Sequence, residues 1–346
     1  MLLIAILMRL RVGKQKTKNR EGTKIENLKH FYGIPHCHTN YSTGKSSPLE
    51  ALEYAKNKGL DFLIITDHND YLEDKVYYKS NVLTKWEALR KYINYYNKKN
   101  KNFLALQGFE VHTNNHGHIN IINSNFYFKG TLKKMQNLLF WFVANNESLG
   151  GFNHPDKSII NTQYSEDVNN YIKYVEVGNG MFPQKYKRYD KLYFELLDKG
   201  WKLGAINSQD NHKLNYGDSE NLTVVLCDEL NKKSVLEAFK LLRVYSTESK
   251  SLKLTFSINN HIMGSSIPYD EKTELNFTII AEDKINKIDK IEIITNGNTI
   301  IKSLKDMHQE RIRYIFKFPI NKSDKYYVVK VYMKDKIALT SPIFID

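Results

Sequence analysis

The sequence predicts an α/β fold, either a barrel or a doubly wound sheet, followed by a small all-β segment. Three observations carry this. From residue 31 to about 248, short apolar runs alternate with stretches of helical periodicity. Histidines and carboxylates recur where the apolar runs stop. Near Ser249 helical periodicity ends and alternation with period two replaces it.

The elements follow in order. Phe31, Tyr32 and Ile34 lead into His36-Cys37-His38, where residues i and i+2 of an extended chain share a face. Ser47-Pro48-Leu49-Glu50 has a capping residue, a proline suited to the first helical position and the acid of a capping box, and Gly59 stops that helix. Phe62–Thr66 is apolar on both parities, as a strand buried on both faces requires, and it ends in Asp67-His68. Trp86, Leu89, Ile93 and Tyr96 recur at helical spacing, and a strand over Phe103–Leu106 runs on to Glu110. His118–Ile122 reads as a strand, Leu132 to Phe142 as a helix, and Gly151-Phe152-Asn153-His154 as a strand end. Tyr174–Val177 is a strand, Tyr186 to Leu197 a helix, and Leu203–Ile206 a strand that ends in Ser208-Gln209-Asp210-Asn211-His212. Val224–Leu226 and a helix over Val235–Leu242 complete the series. Beyond it, 252–258, 291–294 and 327–332 alternate, with Asn259-Asn260 and Asn296-Gly297-Asn298 as turns. The predicted division is a basic leader at 1–29, an α/β unit at 30–249 and a β-sandwich-like unit at 250–346, in which His261 and His308 stand isolated.

The net charge of +13 does not mark a nucleic-acid surface. In the first thirty residues eight basic side chains oppose only Glu21 and Glu26, which leaves the rest mildly basic. No polymerase motif, helix-hairpin-helix or basic-aromatic stripe is present. Cys37 and Cys227 form neither a Cys-x-x-Cys pattern nor a disulfide framework. The apolar run Leu2–Met8 is too short to span a bilayer and no small-residue cleavage site follows it. A cytoplasmic location is favoured, with secretion or surface association as the alternative.

His36, His38, His68, Glu110, His118, His154, Asp210 and His212 are the candidate ligands. All offer nitrogen or oxygen, a set that suits Zn, Mn or Fe rather than calcium, magnesium or an iron–sulfur cluster. Eight groups are too many for one tetrahedral ion and suit a di- or trinuclear centre that activates water. Each has a bland alternative as a helix cap or a loop carboxylate, and Asp67 reads as a group that orients a ligand. His112 and His116 are set aside as spare.

His36-x-His38-x3-Ser42, Thr66-Asp67-His68, Glu110, His154-Pro155 and Ser208–His212 together resemble the PHP (polymerase and histidinol phosphatase) superfamily over about residues 31–248. The resemblance implies a distorted (β/α)7 barrel with a metal centre. It implies that His36, His38, Glu110 and Asp210 hold one ion and that Glu110 bridges to a second, shared with His154 and His118. His68 and His212 would serve a third. Many members carry an aspartate or histidine where Thr43 stands, so two ions are expected. Gly117–Asn120, Glu176-Val177-Gly178-Asn179-Gly180 and Arg243–Thr247 resemble the CehA/McbA branch, named for carbamate ester hydrolases.

The function expected is metal-dependent hydrolysis of a small-molecule phosphoester, with Asp210 or His212 shuttling the proton. Lys45, Lys157, Lys185 and Lys213 lie near the motifs and are candidate phosphate contacts. The first alternative is a carbamate or carboxylic ester hydrolase. The second is a non-catalytic barrel that binds a ligand or a surface, a reading favoured only by Thr43.

Overall fold

The computed structural model describes residues 28–181, 185–270 and 274–346. Apart from Leu28 and Lys29, the leader expected at 1–29 lies outside the described residues. The first twelve strands are β1 Lys29–Ile34, β2 Phe62–Ile65, β3 Lys75–Tyr78, β4 Asn81–Thr84, β5 Leu104–Val111, β6 His118–Ile122, β7 Leu149–Asn153, β8 Ile172–Asn179, β9 Lys187–Arg188, β10 Gly204–Ser208, β11 Leu222–Cys227 and β12 Val244–Thr247. Among them lie helices α1 Pro48–Asn57, α2 Lys85–Lys99, α3 Met135–Ala144, α4 Lys157–Ile160, α5 Glu166–Asn169, α6 Asp190–Asp198 and α7 Lys232–Lys240. The remaining strands are β13 Lys253–Ile258, β14 His261–Ile262, β15 Ser266–Ile267, β16 Glu274–Glu282, β17 Lys290–Thr295, β18 Thr299–Leu304, β19 Arg311–Pro319, β20 Tyr326–Met333, β21 Lys336–Thr340 and β22 Ile343–Ile345. No helix among the described residues is long and apolar enough to cross a membrane.

The main sheet runs β10-β8-β7-β6-β5-β2-β1-β11-β12-β21-β20-β17-β18. Its pairing departs from an uninterrupted βα alternation. β1, β2 and β5 are parallel neighbours, as are β7, β8 and β10. β6, however, runs antiparallel to both β5 and β7, and β11 antiparallel to β1. The residues between β5 and β6 form a loop without a helix, so the chain returns directly along the neighbouring strand. The β10 end of the path comes back to β11 and to Ser341, just after β21. Thr223 Oγ1 accepts from the Asn207 N–H (3.1 Å) and donates to its carbonyl (2.6 Å), while Ser341 Oγ accepts from the Ala205 N–H (3.2 Å).

Local chemistry explains the helix starts. Ser47 and Glu50 cap α1 reciprocally, and Thr84 and Glu87 do the same for α2. Gly59 follows the first of these at φ 81°, a conformation that a side chain disfavours. Two helices are shorter than their periodicity suggests. Leu132 precedes α3, and Tyr186 precedes α6 because Lys187–Arg188 pairs with β8 instead.

A core around Phe109, Phe142, Phe152 and Trp201 fills one side of the α/β part. A second core joins Val224 and Tyr245 to Phe256, Phe277, Ile291, Tyr327 and Val329, so apolar packing runs on from β11 and β12 into the β-rich part. Burying each such large side chain contributes about 1.5–3 kcal/mol. β7 has room for no side chain at Gly151, where a Cβ would lie 1.9 Å from the buried Tyr174 ring. Gly151→Ala is expected to destabilise the protein by about 1–3 kcal/mol through overpacking. Urea unfolding checks this, and an unchanged midpoint would contradict it.

Candidate metal centre

The candidate residues gather at one edge of the main sheet. After β1 the chain stays extended through His36–His38, held on one side by His38 N–H to Asn211 O (2.9 Å) and on the other by Thr66 N–H to Cys37 O (2.9 Å). The i, i+2 relation holds: His36 and His38 present their Nε2 atoms 3.1 Å apart, while the Cys37 thiol faces away toward Ile64 O. His68 lies just beyond β2, and Glu110, near the end of β5, bridges to it in parallel. His118 opens β6 rather than closing it, and the antiparallel course of β6 brings it to the same edge, opposite Asn153. His154 follows β7 and Asp210 follows β10.

All eight predicted residues converge there, as three groups, two of which share His38: His36, His38 and Asp210; Glu110, His118 and His154; His38, His68 and His212. Within each group the ligand atoms lie within 4.8 Å of one another. Glu110 is central. Its carboxylate is 1% exposed and lies 3.5 Å from His36, 3.4 Å from His38, 3.0 Å from His68, 3.1 Å from His118 and 3.4 Å from His154. Asp210 Oδ1 lies 3.3 Å from His36 Nε2, 3.1 Å from His38 Nε2 and 3.7 Å from His212 Nδ1.

Buried charges of both kinds shift these groups. For Glu110, burial raises the carboxyl pKa, but the charge of His36 and hydrogen bonds from His118, His154 and His36 outweigh it and hold it well below the usual range. Asp210 is likewise held down, with burial overcome by His36 and His38. For His36 burial is overcome by the charges of Asp210, Glu110 and Glu176, which hold it well above an ordinary histidine. For His38 burial is overcome by the neighbouring carboxylates of Asp210 and Glu110, which push it up to about 9. His212 moves the other way, lowered by burial and by the charge of His38.

The donor set fits a cation. Asp210 Oδ1 is buried without a hydrogen-bond partner although three imidazole nitrogens surround it. The Nδ1 atoms of His36 and His38 bond to Glu176 Oε1 (2.7 Å) and Ser42 Oγ (3.2 Å), which leaves both Nε2 lone pairs aimed at one spot. Once both rings are neutral, lone pairs at that separation are stabilised by a positive centre between them, and imidazole with carboxylate suits a borderline transition metal.

Further polar groups surround the candidate ligands. Asp67 accepts from the Thr39 N–H (2.7 Å) and Oγ1 (2.6 Å) and from Ser42 Oγ (2.6 Å), so its charge reaches His38 through the serine. This agrees with its reading as an orienting group. Gly44 closes that turn with no room for a side chain, since a Cβ would lie 2.5 Å from His38 O. Thr43 is exposed. Asn153 Nδ2 donates to Glu110 Oε1 (2.7 Å), and His112, set aside as spare, bonds through Nδ1 to His118 Nε2 (2.8 Å). Glu176, which the sequence shows only as part of a motif, bonds to His36 Nδ1. Its signal was a lone carboxylate inside an apolar strand, where an unpaired charge would be costly.

No curated protein matches the chain. Among solved structures, a two-domain protein from Bacteroides vulgatus containing a predicted PHP-like metal-dependent phosphoesterase is similar at 16% identity and TM-score 0.52, covering 90% of this chain and 92% of that one. PsfC from Pseudomonas syringae is similar at 10% identity and TM-score 0.40, over 61% and 87% of the two chains. An amidohydrolase from Chromobacterium violaceum follows at 12% identity and TM-score 0.34, over 51% and 86%. Only the first bears on this chain, and on its fold alone. The PHP domain family matches residues 35–210, just over half of the 346 residues. That interval runs from the residue before His36 to Asp210 itself, and on this match the chain belongs to the PHP domain family.

Proposed function

We propose that this protein is a metal-dependent hydrolase that cleaves a small-molecule phosphoester at the cluster centred on Glu110. The observation that carries it is a buried carboxylate within 3.5 Å of five imidazoles, beside an aspartate oxygen that lacks a hydrogen-bond partner. His36, His38 and Asp210 would hold one ion, and His118 and His154 a second, with Glu110 between them. His68 completes a weaker third group with His38 and His212. When bound, such ions polarise the scissile group and lower the pKa of water towards about 7. On this reading residues 30–249 form the distorted (β/α)7 barrel of the family and 250–346 a β-sandwich-like domain.

His212 suits proton transfer. Its Nδ1–H donates to Asp210 O (2.8 Å), which fixes Nε2 as the bare, basic nitrogen. Burial and the nearby charge of His38 lower its pKa, so it is neutral at pH 7 and ready to accept a proton. That proton passes from water to Nε2 and then to the leaving oxygen. Asp210 orients the ring through its carbonyl and sets the local charge through its carboxylate.

A carbamate or carboxylic ester, the activity for which the CehA/McbA branch is named, is the second reading. Arg188, a candidate phosphate contact by chemistry, is taken up by Asp190 (2.7 Å) and Glu248 (2.5 Å). For the phosphoester stands Lys45, whose backbone N–H donates to His212 O (3.1 Å) beside the cluster. Metal analysis, followed by a panel of phosphomonoester, phosphodiester, aryl ester and carbamate substrates with Mn²⁺ or Zn²⁺, tests the proposal. Phosphoester turnover is expected. A metal-loaded, folded protein that turns over only the esters would move the assignment to the second reading, and one that turns over nothing would sink both.

A further inference from the structure

Glu176 is a fully buried carboxylate whose two oxygens serve two different ligand groups. Oε1 accepts from His36 Nδ1–H at 2.7 Å, which leaves His36 Nε2 bare toward His38 and Asp210. Oε2 accepts from the backbone N–H of His154 at 2.5 Å and from Asn179 Nδ2 at 2.8 Å. The His154 backbone stands at φ 25°, a positive value that few residues other than glycine adopt, and the bond to Glu176 helps to hold it there. All three partners donate and none accepts.

We propose that Glu176 is a positioning residue that couples the His36–His38–Asp210 group to the Glu110–His118–His154 group, so that the two halves of the centre are assembled together. The inference rests on the metal-centre reading above. A carboxylate can accept from every partner at once; an amide of the same shape cannot. If the glutamine nitrogen faced His36, Nδ1 would have to accept, the ring proton would move to Nε2, and that ligand atom would be lost. If the nitrogen faced His154 instead, two N–H donors would oppose each other and the strained backbone would lose its anchor. Either orientation spoils one group while leaving the cavity filled.

The test is an absorbance titration of the metal-free protein with Co²⁺, alongside calorimetry with Mn²⁺, for wild type and Glu176→Gln. Loss of a group that orients a metal-bound histidine typically weakens affinity by about 10–100-fold. A weakening of that size in at least one binding step, with an altered Co²⁺ band, is expected, and Glu176→Asp should restore neither step because it is too short to reach both partners. Wild-type affinity and spectrum in Glu176→Gln would overturn the coupling while leaving the metal reading intact. Wild type that binds neither ion would instead overturn the metal reading and this inference with it. If Glu176→Gln does not fold, Asn179→Ala decides: it keeps the carboxylate but removes one of its anchors, and an unchanged affinity there would overturn the proposal, whereas a weaker step would support it.

Discussion

Replacing Glu110 with glutamine is expected to lower kcat/KM by about 10³-fold and to strip the centre of metal. Glu110 lies within 3.5 Å of His36, His38, His68, His118 and His154, so no other cluster residue touches as many candidate ligands. Glutamine preserves volume and can still accept from Asn153 Nδ2. It removes the charge that balances a cation and turns one acceptor oxygen into a donor facing imidazole. A bound metal stabilises developing charge by several kcal/mol, and each ~1.36 kcal/mol is a factor of ten in rate, which gives the stated size. Metal content by elemental analysis and turnover of the best substrate in the panel check it. A Glu110→Gln protein with full metal and near wild-type rate would show that the carboxylate is only a packing group. His36→Ala/His38→Ala provides a second route to the same end, with metal and activity expected to fall together.

Metal affinity is expected to climb steeply between pH 6.5 and 9. In the metal-free protein burial would lower His38, but the carboxylates of Asp210 and Glu110 push it up to about 9, and the charges of Asp210, Glu110 and Glu176 also hold His36 well above an ordinary histidine. Both imidazoles must lose a proton to bind metal, so each displaced proton changes apparent affinity by about tenfold per pH unit below its pKa. Two displaced protons give on the order of 10²-fold per unit. Calorimetry at pH 6.5, 7.5 and 8.5, in buffers of different ionisation enthalpy, reads both the slope and the proton count. An affinity independent of pH would falsify this.

The stability of the metal-free protein should run the opposite way on the alkaline side. His36 and His38 have folded pKa values above the unfolded one, so their contribution is complete below about pH 6.5 and is lost as pH rises towards about 9. His30 is lowered by burial to about 4, so its contribution is present above about 6.5 and is lost as pH falls through 4. Glu110 and Asp210, both depressed, add a further loss at still lower pH. A thermal midpoint that is highest near pH ~6.5 without metal is the consequence. The gain on adding metal should be larger at pH 8.5, where binding is tighter.

Much of the candidate centre was legible in the sequence because its candidate ligands follow local rules. His36 and His38 sit two apart on extended chain, and two apart means one face. His68, His154 and Asp210 lie just past apolar runs, where an α/β sheet delivers polar side chains to one edge. Helix α1 could be placed to the residue from Ser47, Pro48 and Glu50. Other features depended on pairing across the chain. That β6 turns back antiparallel, bringing His118 to the edge from the start of its strand, is a matter of partner choice that period-two patterning does not encode. The shortening of α6 arose in the same way, when Lys187–Arg188 joined β8.

By itself the sequence determined the inventory: which residue types stand at the ends of apolar runs, where helical periodicity gives way to alternation, and which family pattern the motifs form. Local chemistry suffices for that, because side-chain period, capping and turn preferences act over a few residues. Only the tertiary structure decided who serves whom. Asp67 reaches His38 through Ser42, across a separation of 25 residues between Ser42 and Asp67. Glu176 lies 140 residues from His36 and 22 from His154 and binds both. A buried carboxylate takes whichever donors the packed sheet brings within reach, and that depends on register and strand order rather than on its neighbours in sequence.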